Sequence, residues 1–190
     1  MTPNLLILGG TTEATALATL AAERGLTGVV SFAGRVERPR RQPLPQRVGG
    51  FGGVAGLARY IREAGITHLV DATHPFAAQM SANAVRAARE AGIPILALTR
   101  PAWTEGPGDD WQHVPDIAAA VAALDTAPRR VMLAVGRMHP DAFAANPQHD
   151  YLLRLVDPPK QAPPFPRYHV VVDRGPFTAD GDRALMEAHG

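Results

Sequence analysis

Leu5-Leu6-Ile7-Leu8-Gly9-Gly10-Thr11-Thr12-Glu13 decides the fold. Four consecutive apolar residues ahead of a glycine pair read as a short strand buried on both faces, the kind found in parallel sheets. The segment Glu13–Arg24 that follows has helical spacing, with Leu17, Leu20 and Ala21 on one face and Gly25 placed as a C-cap. Glycines at such a turn let the backbone approach a phosphate, and the free N–H groups and positive dipole end of the helix attract it. Thr11 and Thr12 can add hydroxyl donors. The same residues also read as a tight turn with Thr11 or Thr12 as N-cap and Glu13 completing it. The spacing is not that of G-x-G-x-x-G, so the loop alone leaves both readings open.

The alternation continues outward. Val29–Ala33 reads as a strand, Val54–Ala64 as a helix closed by Gly65, and His68–Asp71 as a strand. Ala77–Ala91 is then a helix stopped by Gly92, and Ile95–Leu98 a strand. Strand–helix alternation at this interval calls for βαβ units and a parallel sheet. Pro39, Pro43 and Pro45 exclude regular structure from Glu37–Gln46. After the second strand of a dinucleotide fold, an acid selects NAD and an Arg accepts the 2′-phosphate of NADP. Gly34-Arg35 stands there, with Glu37 two residues on, so NADP is the expected ligand. Arg38, Arg40 and Arg41 read as a solvated basic loop.

Two further clusters fall at strand ends. Gly49-Gly50-Phe51-Gly52-Gly53 lies at a strand-to-helix turn and offers a flat backbone surface for a cofactor or substrate. Asp71-Ala72-Thr73-His74-Pro75-Phe76 follows the His68–Asp71 strand, where ligands of open α/β sheets bind. His74 could supply a proton or a hydrogen bond, and Thr73 could meet the nicotinamide ribose or amide. The alternative has Asp71 and Thr73 capping the next helix, with His74 exposed.

A boundary falls near Arg100-Pro101-Ala102-Trp103, with 1–100 as the NADPH-binding domain and 101–190 as a substrate-side α/β domain. The second half reads as a helix at Asp116–Leu124 and strands at Val131–Val135, Tyr151–Val156 and His169–Val172. A Pro-rich loop at Pro158–Pro166 and a terminal helix from about Asp180 complete it. That is few strands for a closed domain. Arg137, Arg154 and Arg174 stand at or near strand ends, and together they would suit an anionic substrate.

Composition sets outer bounds. The 190 residues are 46% hydrophobic and 19% charged with a net charge of +1, which gives no global field for nucleic acid or membrane. With no cysteine, disulfide, zinc-thiolate and iron–sulfur sites are excluded, and no metal site is expected. No apolar run would span a bilayer, and Met1–Asn4 lacks a basic n-region, so a cytoplasmic protein is expected. Of 19 basic residues only Lys160 is a lysine, a bias that the Arg codons of a GC-rich genome explain better than an anionic ligand does. Lys160 has no tyrosine four residues before it, which counts against a short-chain reductase with a Tyr-x-x-x-Lys pair. A non-catalytic NADP(H)-sensing module is the rival from another class. The oligomeric state is left open.

Taken in order, Gly9–Glu13, Gly49–Gly53, Asp71–Ala77, Arg100–Trp103 and Arg174–Phe177 resemble the signature of the precorrin-6A reductases of cobalamin biosynthesis. The resemblance implies two Rossmann-like three-layer domains with parallel sheets and an active site between them. It implies hydride transfer from NADPH to a carbon–carbon double bond of a tetrapyrrole, whose carboxylates would give the later arginines a purpose. The cofactor would meet Gly9, Gly10, Thr11, Thr12, Glu13, Arg35, Gly50, Phe51, Gly52, Gly53, Thr73, His74 and Pro75, with His74 as the candidate proton donor. Members of the family continue past the point corresponding to Gly190, so the C-terminal domain is expected to be incomplete in this chain.

Overall fold

The register of the central strand explains the architecture. In the computed structural model, which describes residues 2–34, 41–136, 139–175 and 177–190, β1 (Asn4–Leu8) lies between β2 (Thr27–Phe32) and β4 (His68–Asp71). All pairings are parallel: Leu6 stands opposite Val29 on one side and Leu69 on the other. With β3 (Gln46–Val48) and β5 (Ile95–Ala97), the order is β3-β2-β1-β4-β5. This is the doubly wound order in which the chain reverses direction beside β1.

Successive residues of β1 point to opposite faces, and each face meets different helices. Leu5 and Ile7 pack on α1 (Thr12–Glu23) through Ala14, Ala18 and Ala21. Leu6 and Leu8 pack on α2 (Gly53–Glu63) through Leu57, Ala58 and Ile61, and on α3 (Ala78–Ala91) through Ala84, Ala87 and Ala88. Alanine on the inner helix faces lets the helix axes approach the sheet. Leu6 and Ile7 are fully buried, and each contributes about 2 kcal/mol of hydrophobic stabilisation. The first helix departs from expectation in its inner face. Leu20 is 42% exposed and the buried stripe is Ala14, Ala18 and Ala21.

β3 is the strand that the Gly49–Gly53 turn implied, and its bounds could not be read from the sequence. It starts immediately after Pro45, whose carbonyl accepts from Val30 N–H at 2.9 Å, and runs for three edge residues. A proline is tolerated before the first residue of an edge strand, and a three-residue edge strand carries no readable hydrophobic period.

The chain divides into two compact units, Met1–Trp103 and Thr104–Gly190. In the second, β6 (Arg130–Leu133), β7 (Asp150–Leu155) and β8 (Tyr168–Val172) form a parallel sheet in sequence order. Tyr151, Leu153 and Leu155 face α4 (Ile117–Ala123) and Phe143 of a 3₁₀ turn at Pro140–Ala145, an element the sequence pattern did not reveal. The Tyr151 hydroxyl donates towards the carbonyls of Phe143 at 3.1 Å and Asn146 at 2.9 Å, and burial pushes its pKa up. Arg154, alternating to the other face, meets Asp182 of α5 (Ala179–His189). Parallel α/β units are thus what both halves contain.

Candidate functional site

The carboxyl ends of β1, β3 and β4 each lead into one of the loops singled out by sequence. At the first, Gly9 N–H donates to Ser31 O at 2.9 Å, and a Cβ on Gly9 would stand 2.9 Å from Val30 Cγ1. Gly10 has φ 127°, and a Cβ there would meet nothing within 4 Å. Thr11 caps α1: its Oγ1 accepts from Ala14 N–H at 3.1 Å and donates to Ala72 O at 2.8 Å. This is the capping alternative read from the sequence. The Thr11 hydroxyl proton is engaged within the protein, so this residue offers a ligand its backbone N–H and not its side chain. Thr12 is exposed and donates to Glu13 Oε2 at 3.1 Å. The Glu13 carboxylate is held below its ordinary pKa mainly by its own backbone N–H, with Thr12 and Arg100 assisting against burial.

The second loop is built differently. Gly49, Gly52 and Gly53 have φ of 124°, 79° and 85°, so the backbone itself requires glycine there. Gly50 is in neither situation. Its φ is not positive and a Cβ would meet nothing within 4 Å. Neither a positive φ nor packing demands glycine at Gly50. Phe51 packs inward from the flat backbone surface that its sequence setting suggested. It is half-buried, edge-on to Tyr60 at 5.3 Å, with the Arg47 guanidinium 3.8 Å above its ring. Arg47 also donates to Ser31 Oγ at 2.8 Å, Gly49 O at 2.9 Å and Gly50 O at 3.3 Å.

At the third, buried Asp71 accepts from Thr73 N–H at 3.2 Å and Thr73 Oγ1 at 2.7 Å. The pair closes its own turn and does not cap α3, whose N-cap is Ala77 with no side-chain bond. His74 and Pro75 are exposed. His74 Nδ1 accepts from Phe76 N–H at 3.2 Å, which places the proton of the neutral ring on Nε2. Partial burial and the nearby Arg100 lower the pKa of His74, and Glu13 opposes them. Glu13, His74 and Arg100 therefore form one electrostatic group at this edge. Arg100 and Arg47 were missed as individual residues. Arg47 would have been found had the bounds of β3 been readable, since it lies at a strand end beside the glycine cluster.

Among the described residues, Arg154 and Arg174 are each engaged in an ion pair. Arg154 is 11% exposed in its side chain, paired with Asp182 and stacked 3.9 Å from the centre of Phe177. Arg174 pairs with Asp157 at 2.6 Å. Both join strand ends to neighbouring segments, so a substrate carboxylate would share each of them with an aspartate already in place. Arg35 and Arg137, together with Arg38 and Arg40, lie outside the described residues.

A parallel sheet in this order, with glycine turns at the carboxyl ends of strands beside its reversal point, defines a Rossmann-type α/β protein. The chain belongs to the precorrin-6x reductase family: the family model for precorrin-6x reductase CbiJ/CobK matches residues 4–190. The precorrin-6A reductase of Rhodobacter capsulatus is 56% identical over 184 residues, covering 97% of this chain and 73% of that protein. The precorrin-6A reductase of a Sinorhizobium species is 45% identical, covering 98% and 72%. The cobalt-precorrin-6A reductase of Priestia megaterium is 28% identical, covering 98% and 76%. A solved structure of CobK precorrin-6A reductase superposes with a TM-score of 0.95 at 56% identity, covering 98% of this chain and 74% of that one. Family and fold class are as the sequence resemblance implied. Among the described residues, no helix is long and apolar enough to cross a membrane.

Proposed function

We propose that this chain is a cytoplasmic NADPH-dependent oxidoreductase that reduces a carbon–carbon double bond of precorrin-6A, giving precorrin-6B in cobalamin biosynthesis. The observation that carries the reading is 56% identity to a precorrin-6A reductase over almost the whole chain. The lower identity to the cobalt-precorrin enzyme favours the metal-free ring as substrate.

The residues fit a dinucleotide. Open space stands over Gly10 and Gly50, and the first N–H groups of α1 and α2 lie outside the helical ladders. When bound, NADPH supplies a hydride to one carbon of the double bond, and the neighbouring carbon takes a proton. Gly9–Glu13 would hold the pyrophosphate beside β1, Arg35 the 2′-phosphate, Gly50–Gly53 the adenosine side and Thr73–Pro75 the nicotinamide side. The lowered pKa of His74 favours the neutral ring, whose Nε2–H can donate a hydrogen bond. Proton transfer would need the imidazolium form, which returns to neutral imidazole as it gives up its proton and is re-protonated from water. Nicotinamide chemistry needs orientation and exclusion of competing reactions more than a strong acid.

Calorimetric titration with NADPH, NADP, NADH and NAD, with Arg35→Ala alongside, tests the cofactor assignment. We expect the phosphorylated cofactors to bind more tightly and Arg35→Ala to abolish the difference. Equal affinities in the unaltered chain would remove Arg35 from the site. Following NADPH absorbance with precorrin-6A then tests turnover. Tight NADPH binding without oxidation in the presence of precorrin-6A would instead indicate a sensor.

A further inference from the structure

We propose that Arg47 is a positioning residue that holds the Gly49–Gly53 loop in the conformation that receives the adenosine half of the dinucleotide. This rests on the NADPH reading above. β1 lies at the reversal point of the sheet, with β2 and β3 on one side and β4 and β5 on the other. The end of β2 faces the adenosine ribose in this fold class, so the loop after β3 borders that half and Thr73–Pro75 borders the nicotinamide half.

A loop with three glycines at positive φ has many other conformations open to it. Arg47 restricts that choice from beneath. Its guanidinium bonds the carbonyls of Gly49 and Gly50 and the hydroxyl of buried Ser31, while stacking on Phe51. In a trans peptide the N–H points opposite to the C=O across the same plane. Drawing the carbonyls of Gly49 and Gly50 towards Arg47 therefore turns the N–H groups of Gly50 and Phe51 away from it. Those N–H groups become donors for ligand oxygens, and the carbonyls that would repel a phosphate are already neutralised. A Cβ on Gly50 would meet nothing within 4 Å, so a ligand can reach that surface. Lysine cannot reproduce this arrangement, because it lacks the planar fork that serves several acceptors while stacking on a ring.

The test compares Arg47→Met and Arg47→Lys with the unaltered chain, well below their unfolding midpoints, using 2′,5′-ADP as probe of the adenosine half. Arg47→Met should bind 2′,5′-ADP about tenfold or more weakly. With precorrin-6A, its KM for NADPH should rise by a similar factor while kcat stays within about twofold. Arg47→Lys should fall between, at about threefold to fivefold weaker binding. A purely structural role would lower the unfolding midpoint and leave these constants alone. Affinity for 2′,5′-ADP within about twofold of the unaltered chain overturns the proposal, and Arg47→Lys alone decides if Arg47→Met does not fold. If the unaltered chain binds neither 2′,5′-ADP nor NADPH, the cofactor reading fails instead.

Discussion

The two glycine loops of the first unit solve the same problem in opposite ways. Both connect the carboxyl end of a strand to the first turn of a helix. In Gly9–Glu13 the helix start is closed by a side chain, with Thr11 capping α1 and tying it to Ala72 beyond β4. In Gly49–Gly53 the N-cap is Gly52 in the left-handed region with no side-chain bond, and support comes from Arg47 on the preceding strand. The first loop is held by its own residues and a neighbouring strand, whereas the second is held from below. A strand-to-helix turn can therefore keep its N–H groups presentable either by capping the helix or by engaging the loop carbonyls.

The largest expected effect lies under the second loop. A Cβ at Gly56 would stand 1.7 Å from the Phe51 carbonyl oxygen, a clash with backbone that a rotamer change cannot relieve. Gly56→Ala should cost about 3 kcal/mol or more, read as a lower urea midpoint. A loss below about 0.5 kcal/mol would show that the loop gives way and is not a fixed platform. In the first loop, Thr11→Ala removes the cap and the bond to Ala72 together and should cost about 1–2 kcal/mol. Thr11→Ser should recover most of it, since the hydroxyl carries both bonds; failure to recover would assign the loss to the methyl group.

The smallest effect concerns charge at the edge of the first loop. The His74 imidazole should titrate below the ordinary value of 6.5, because burial and Arg100 disfavour the cation. Arg100→Met should move the midpoint up and Glu13→Gln should move it further down, both visible by proton NMR. The linked stability has a definite sign. With the folded pKa below the unfolded one, the unfolded chain binds more protons between the two values. Stability from this group is full above 6.5 and declines as pH falls through the folded pKa. A midpoint unmoved by both substitutions would separate His74 from Glu13 and the first loop.

The elements legible in the sequence were those with strong local signals. The His68–Asp71 strand has the bounds its apolar run suggested, and Gly92 ends α3 in the left-handed conformation. The bounds of β3 were hidden because three edge residues after a proline carry no period. Leu20 was misplaced because an alanine face serves α1 better against β1. The glycine loops were legible as strand-to-helix turns, and Gly10, Gly49, Gly52 and Gly53 take positive φ there. What supports them was not, since Thr11 finds its partner 61 residues away and Arg154 finds Asp182 28 residues away.

By itself the sequence determined the strand–helix alternation, the two loops where glycine is needed and the resemblance that proved to be the family. These follow from local conformational preference and short-range hydrophobic pattern. Only the tertiary structure decided which polar groups are already engaged: the Thr11 hydroxyl in a cap, Arg154 and Arg174 in ion pairs, and Arg47 under the glycine loop. Hydrogen-bond and ion-pair partners are chosen by proximity across the folded sheet, and that proximity joins residues remote in sequence.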